Sequence, residues 1–228
     1  MVLRACGGAA VVAALLVGAA TAHAQPSELP ATIVTLTGKA EFFKKGDLKW
    51  TVADLRDELR EGDGLRTSPS VRATLRTGGG HAIRLAALTQ VFLLPPLAPG
   101  NALLQPVVVR LDRGWLWVSV TPGVHAFAPV EVLAAPARVA VRNGGVGFRL
   151  NRDGSVIVRT YHGMAVIRGA GPAGMWERNL PELQEVLVPA SGPPAENRKI
   201  TREEGEGLWV LWNEEQDYVA YGGKPPLR

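Results

Sequence analysis

Apolar and polar residues alternate along most of this chain, and glycine, proline, asparagine or aspartate breaks the alternation roughly every 8 to 12 residues. Val71, Ala73 and Leu75 fall on one face while Arg72, Thr74 and Arg76 fall on the other, the period of two expected of a half-buried strand. The same pattern predicts strands at 31–37, 39–45, 71–77, 81–85, 89–94, 107–111 and 115–120. It predicts further strands at 124–127, 130–134, 138–142, 146–150, 155–160, 164–168 and 185–188. Gly62-Asp63-Gly64 reads as a tight turn whose carboxylate bonds nearby backbone amides, and Gly78-Gly79-Gly80 as the connection of a hairpin. Asp112-Arg113-Gly114, Asn143-Gly144-Gly145, Asp153-Gly154 and His162-Gly163 are expected to separate the strands on either side of them. Residues 50–61 are compatible with one helical turn cut short by the Gly-Asp-Gly stop, and 95–101 is a proline-rich loop. With no helical crossovers, the pattern favours an all-β sandwich, barrel or solenoid over a parallel α/β fold.

One helix is expected near the end. Thr201 to Glu204 has capping-box spacing, and Leu208, Leu211 and Trp212 follow at helical offsets, so a short amphipathic helix is predicted over about 202–217. Gly205 and Gly207 weaken it, and it needs the β-domain or a partner to hold it.

The first residues read as an address. Arg4 precedes an apolar run of small residues, and Ala22-His23-Ala24 has the form of a secretory cleavage site, which predicts a signal peptide at 1–24 removed after Ala24. The run is shorter than the roughly 20 residues of a membrane span, and no later stretch matches that length, so the expectation is a periplasmic or secreted protein with no span after cleavage. The lone Cys6 would leave with the leader, so the fold depends on a core and not on disulfides. The net charge of +4 is modest and its basic residues are scattered, which gives no footprint for nucleic acid.

Chemistry is sparse. His81, His125 and His162 are far apart with no metal-ligand spacing, and read as turn or surface histidines. No Gly-x-Ser-x-Gly elbow is present. Glu203, Glu204, Glu206, Glu214, Glu215 and Asp217 read as a helix cap and solvated helix face and not as acid/base pairs. With the roles of nucleophile, base and oxyanion donor unfilled, the expectation is no catalytic, metal or cofactor-binding residue, and no enzyme. Trp115 and Trp117 stand two apart in a strand and share a face, with Leu116 and Val118 on the other. Either the two indoles lie together at the surface, where they would stack on a sugar or anchor a partner, or both faces are buried with Trp209 and Trp212 as the cover. Large apolar side chains usually find cover, which favours the second.

Taken in order, several motifs between Gly38 and Ile167 resemble the FecR domain, the periplasmic part of bacterial iron-transport regulators and of stand-alone exported proteins. They are Gly38-Lys39-Ala40; Leu59 with Gly62-Asp63 and Arg66-Thr67; Ser70 to Leu75; Gly80 ahead of Ile83 and Leu85; Gly114 to Val118; and Ala135-Pro136-Ala137 through Arg142 to Phe148. The chain departs from the family where Thr-Pro and Arg-Gly-Thr are usual, having Ala135-Pro136 and Arg142-Asn143-Gly144-Gly145, a corner expected to be rebuilt as a glycine turn. The resemblance implies an all-β, solenoid-like or sandwich-like fold with a short C-terminal helix, and a non-catalytic role in protein interaction or signalling. The cytoplasmic anti-sigma segment and membrane helix of full regulators are not recognised in this sequence. The expected organisation is a leader at 1–24, a FecR-like β-domain at 31–190, and a linker, helix and tail at 191–228. The expected partner is an envelope protein, or alternatively a glycan or peptidoglycan, with Trp115, Trp117 and Arg142 as candidate contacts.

Overall fold

The structure, a computed structural model, describes residues 31–96, 105–120, 129–171, 174–201 and 207–221. The expected leader, the strand expected at 124–127, part of the proline loop, the start of the expected helix and the final tail lie outside these residues.

The described residues begin with β1 (Ala31–Leu36), β2 (Ala40–Phe43), β3 (Thr51–Val52) and β4 (Glu58–Leu59). It continues through β5 (Gly64–Thr67), β6 (Ala73–Thr77), β7 (Ala82–Leu85) and β8 (Gln90–Leu94). Next come β9 (Val107–Val120), β10 (Val130–Ala134) and β11 (Ala137–Leu150), then β12 (Val156–Thr160) and β13 (Met164–Gly171). The last elements are β14 (Gly174–Pro181), β15 (Gln184–Val188), β16 (Arg198–Lys199) and the helix α1 (Leu208–Tyr221). The fold is all-β with one short C-terminal helix.

The strands lie in two layers. Neighbours in the first run β16-β15-β12-β11-β9-β7-β6-β1-β4. In the second they run β14-β13-β11-β10-β9-β8-β5-β2-β3. Ile33, Leu75, Ile83, Val118 and Val158 from the first layer share one buried cluster with Leu65, Val109, Val139 and Ile167 from the second. That cluster is the inward half of the alternation, and its burial is the main force holding the layers together.

β9 and β11 belong to both layers, which corrects the sequence expectation. Up to Arg113, β9 pairs with β8 in the second layer, and from Gly114 onward it pairs with β11 in the first. β11 does the same at Gly144. The turn-forming stretches Asp112-Arg113-Gly114 and Asn143-Gly144-Gly145 were expected to reverse the chain; they bend it over a corner instead. Gly114 and Gly144 both have positive φ, and a Cβ on Gly144 would lie 2.1 Å from the His162 carbonyl oxygen. Glycine is needed there for the close approach of the neighbouring 162–163 backbone as much as for the bend. The reversal expected nearby is made by Ala135-Pro136, between the paired residues Ala134 and Ala137.

Other differences have local causes. Residues 50–61 form two short strands and turns with no helical turn. β14 escapes the alternation rule because it is an edge strand on which Leu180 is the one buried side chain. β16 pairs with β15, so the sheet reaches past residue 190. The expected turn chemistry holds at Asp63, whose buried carboxylate accepts the Arg60 amide at 2.8 Å and the Lys45 amide at 2.7 Å. It thereby ties the corner before β5 to the end of β2.

Candidate functional site

The outer face of the first layer carries the densest polar and aromatic chemistry among the described residues. Register places Arg84 opposite Trp117, Trp117 opposite Gly147, Gly147 opposite Arg159 and Arg159 opposite Glu185, forming one row across five strands. A second row runs from Trp115 through Arg149 and Ile157 to Leu187. Cross-strand neighbours point to the same side, so these residues share the outer face. Gly145 and Gly147 leave a slot there; a Cβ on Gly145 would stand 2.9 Å from the Trp117 ring. Trp117 lies in that slot, stacked on Tyr161 with ring centroids 4.7 Å apart.

α1 covers the slot. One Asp217 carboxylate oxygen accepts Arg84 at 2.6 Å and the Ser119 hydroxyl at 2.6 Å, and the other accepts the Trp117 indole N–H at 2.9 Å. Val210, Asn213, Glu214 and Asp217 recur at helical spacing on the side turned to the sheet. This corrects two expectations. The helix runs to Tyr221, beyond the 217 expected, and buries the Val210–Asp217 stripe while Leu208, on the stripe read from sequence, is 80% exposed. Glu214 and Asp217 are packed against the sheet and do not form a solvated acidic face. A buried arginine needs a charged partner, and that need outweighs the helix's own hydrophobic pattern.

A second buried carboxylate, Glu185, is held between Arg159 and Arg198, each at 2.5 Å, and links β12, β15 and β16. Burial pushes the Tyr161 hydroxyl up to about 12, opposed by Arg159 and reinforced by Glu214 and Glu185. The folded state therefore keeps this proton longer than the unfolded chain. The stability it contributes is intact below about pH 10 and drains away as pH rises toward 12. A phenolate absorbance titration is expected to show one tyrosine ionising near pH 12 and absent from a Tyr161→Phe variant; identical curves for the two proteins would count against this burial.

Trp115, Trp117 and Arg142 do not form one contact. Trp117 is completely buried beneath α1. Trp115 is half-buried, with the Arg149 guanidinium 4.8 Å from its ring centre. Arg142 is exposed and stands beyond the Gly144 corner, on the far part of β11 from Arg149. Trp209 and Trp212 stack on each other at 5.4 Å, with Arg72 within 5.6 Å of both rings. Trp115, Tyr161 and Trp209 line a shallow, solvent-open depression of about 20 Å³, with Arg149 and Arg159 also on its walls. Nothing in the local sequence announces Arg84, Ser119 or Asp217, since the ion pair joins residues 133 positions apart. The glycines at 145 and 147, opposite an aromatic strand, are the nearest thing to a signal.

His81 is buried, against the expectation of a turn or surface site, whereas His162 is half-buried and 3.9 Å from Glu214. His125 lies outside the described residues. Among the described residues no group of three His, Cys, Asp or Glu side chains is placed to hold a metal ion, and no helix is long and apolar enough to cross a membrane.

Two crystal structures of a protein from Parabacteroides distasonis ATCC 8503, provisionally described as an anti-sigma factor, resemble this chain with a TM-score of 0.49 and 14% sequence identity. The match covers 66% of this chain and 64% of that one, so the chain spans less than two thirds of its neighbour's length. No protein-family model matches the chain, and no curated protein matches it.

Proposed function

We propose that this is an exported, non-catalytic FecR-like domain that binds another protein of the bacterial envelope in signalling or regulation. The observation that carries the reading is the half-buried group of Trp115, Trp209 and Trp212 with Arg72 and Arg149 packed on their faces. Tryptophan and arginine dominate the energetic centres of protein interfaces, and here three indoles are already ordered by guanidinium contacts and by α1. The leader-like first residues and the ordered family motifs support export and a binding role.

Crosslinking in intact cells followed by mass spectrometry is expected to recover a reproducible protein neighbour. Trp115→Ala is expected to weaken that interaction by about 30-fold, the size of a hot-spot loss of about 2 kcal/mol. Failure to recover any reproducible neighbour would remove the reading. Trp117 is unsuitable for this test because its loss empties the slot under α1. Arg142→Ala is the independent variant for the exposed arginine near the corner.

A second reading, binding of a glycan or peptidoglycan, is favoured by the pocket between Trp115, Tyr161 and Trp209. Retention on insoluble peptidoglycan that Trp115→Ala abolishes would support it. Retention that the substitution leaves unchanged would eliminate it.

A further inference from the structure

On the second layer, far in sequence from α1, the β2–β3 hairpin has an unusual tip. Leu48 is 98% exposed and contributes nothing to the core. Lys44, Lys45 and Lys49 flank it in the loop sequence, all exposed, with Asp47 as the lone acidic residue of the loop. None of the three lysines is in an ion pair among the described residues. The tip is nevertheless pinned. The Asp47 amide donates to the Lys44 carbonyl at 2.9 Å, and the Lys45 amide donates to Asp63 at 2.7 Å.

Behind the tip lies an aromatic platform. Phe43, Trp50 and Phe92 pack with ring centres 5.4 to 6.0 Å apart. Arg66 stacks on Trp50 at 4.4 Å and Arg110 on Phe92 at 4.7 Å; Glu41 and Asp112 pair with these two arginines, so the uncompensated positive charge of this end lies on the tip lysines. Val52, 66% exposed, extends the apolar surface along β3.

We infer that this hairpin is a contact site for a bilayer surface bearing anionic headgroups. Charge complementarity selects the occupant: a lysine collar matches a negatively charged lipid surface, and each such lysine adds attraction near it. The apolar residue projects from a convex tip and does not line a groove, so its burial is satisfied by a medium it can enter, such as the acyl boundary. Amphipathic aromatic rings and arginines set back from the tip suit the headgroup level, where indoles and snorkelling cations are at home. One apolar residue alone would hold weakly, and the combination with a cationic collar supplies the second attraction that peripheral binding requires. The site is separate from the Trp115 face, so its failure would leave the proposed protein partner untouched, and the converse holds.

The test places a polarity-sensitive fluorophore at the tip of the full-length chain. Leu48→Cys in a Cys6→Ser background gives a single labelling site, since Cys6 is the one native cysteine. Phosphatidylcholine vesicles containing phosphatidylglycerol are expected to shift the emission to the blue, and phosphatidylcholine alone is not. Added salt weakens the effect. Lys44→Glu with Lys49→Glu is expected to lower apparent affinity at least about 25-fold, two lysines each worth about five-fold. These positions are exposed, and an unchanged β-type circular dichroism spectrum confirms that the variants fold. No shift with the anionic vesicles overturns the inference, as does an equal shift with the neutral ones. A shift with soluble polyglutamate and none with vesicles also overturns it, and assigns the lysines to an acidic protein.

Discussion

Gly144→Ala is expected to destabilise the protein by about 4 kcal/mol or more, lowering its melting temperature by about 10 °C. Two costs add. Gly144 has φ +81°, a conformation that costs any other residue about 1–2 kcal/mol. The new Cβ would also stand 2.1 Å from the His162 carbonyl oxygen and 2.5 Å from its carbon, both backbone atoms that no side-chain rotation can move. The obstacle is reciprocal, because a Cβ on Gly163 would lie 2.4 Å from the Asn143 carbonyl oxygen. β11 crosses between layers at this point, so separating the chains would pull apart the pairing on both sides of the corner. Gly46→Ala is the control: it shares a positive φ of 94° but its Cβ meets nothing within 4 Å. It is expected to cost about 1 kcal/mol. Equal losses of urea midpoint for the two variants would show that the corner does not depend on the close backbone approach.

Asp217→Ala is expected to cost about 3–5 kcal/mol, the penalty of leaving a buried charge without its partner. The Arg84 side chain is 4% exposed, and the carboxylate also receives Ser119 and the Trp117 indole N–H. Release of α1 would let water reach Arg84 and so caps the loss. That escape has its own signature, a red shift of tryptophan emission as the slot opens, at urea concentrations below the global transition. Asp217→Asn is not a conservative rescue. Its amide can accept from Arg84 with its oxygen, but then turns an N–H toward the indole N–H of Trp117. Replacing both partners, Arg84→Met with Asp217→Leu, is expected to recover most of the stability, because two apolar groups need no counter-charge. A single variant within about 1 kcal/mol of the parent would mean that α1 is held by packing alone.

The contrast between these two predictions separates what local sequence discloses from what it hides. Gly144 was visible as a residue of special conformation, because Asn143-Gly144-Gly145 is a turn-forming composition. A hairpin reversal and an over-the-corner bend use the same residues, and only the strands arriving on each side decide between them. Asp217 lay among carboxylates that read as a solvated helix face. Its burial depends on an arginine 133 residues away, which no periodicity within the helix can report. Trp115 and Trp117 were legible as a same-face pair, yet one is half-open and the other sealed because α1 covers only part of that face. The aromatic platform of Phe43, Trp50 and Phe92 joins the end of β2, the start of β3 and the middle of β8, whose adjacency follows from the pairing of β2 with β3 and of β5 with β2 and β8.

By itself the sequence determined most of the longer strands and their inward faces, though not β3 to β5, β14 or β16, since the alternation of side chains across a strand and the conformational freedom of glycine act over a few residues. The tertiary structure decided which strands share a layer, where β9 and β11 change layers, and which face of α1 is buried. Those outcomes turn on long-range contacts: an ion pair, a close backbone approach and a slot formed by absent side chains. Each becomes favourable only when distant segments meet and water is excluded between them.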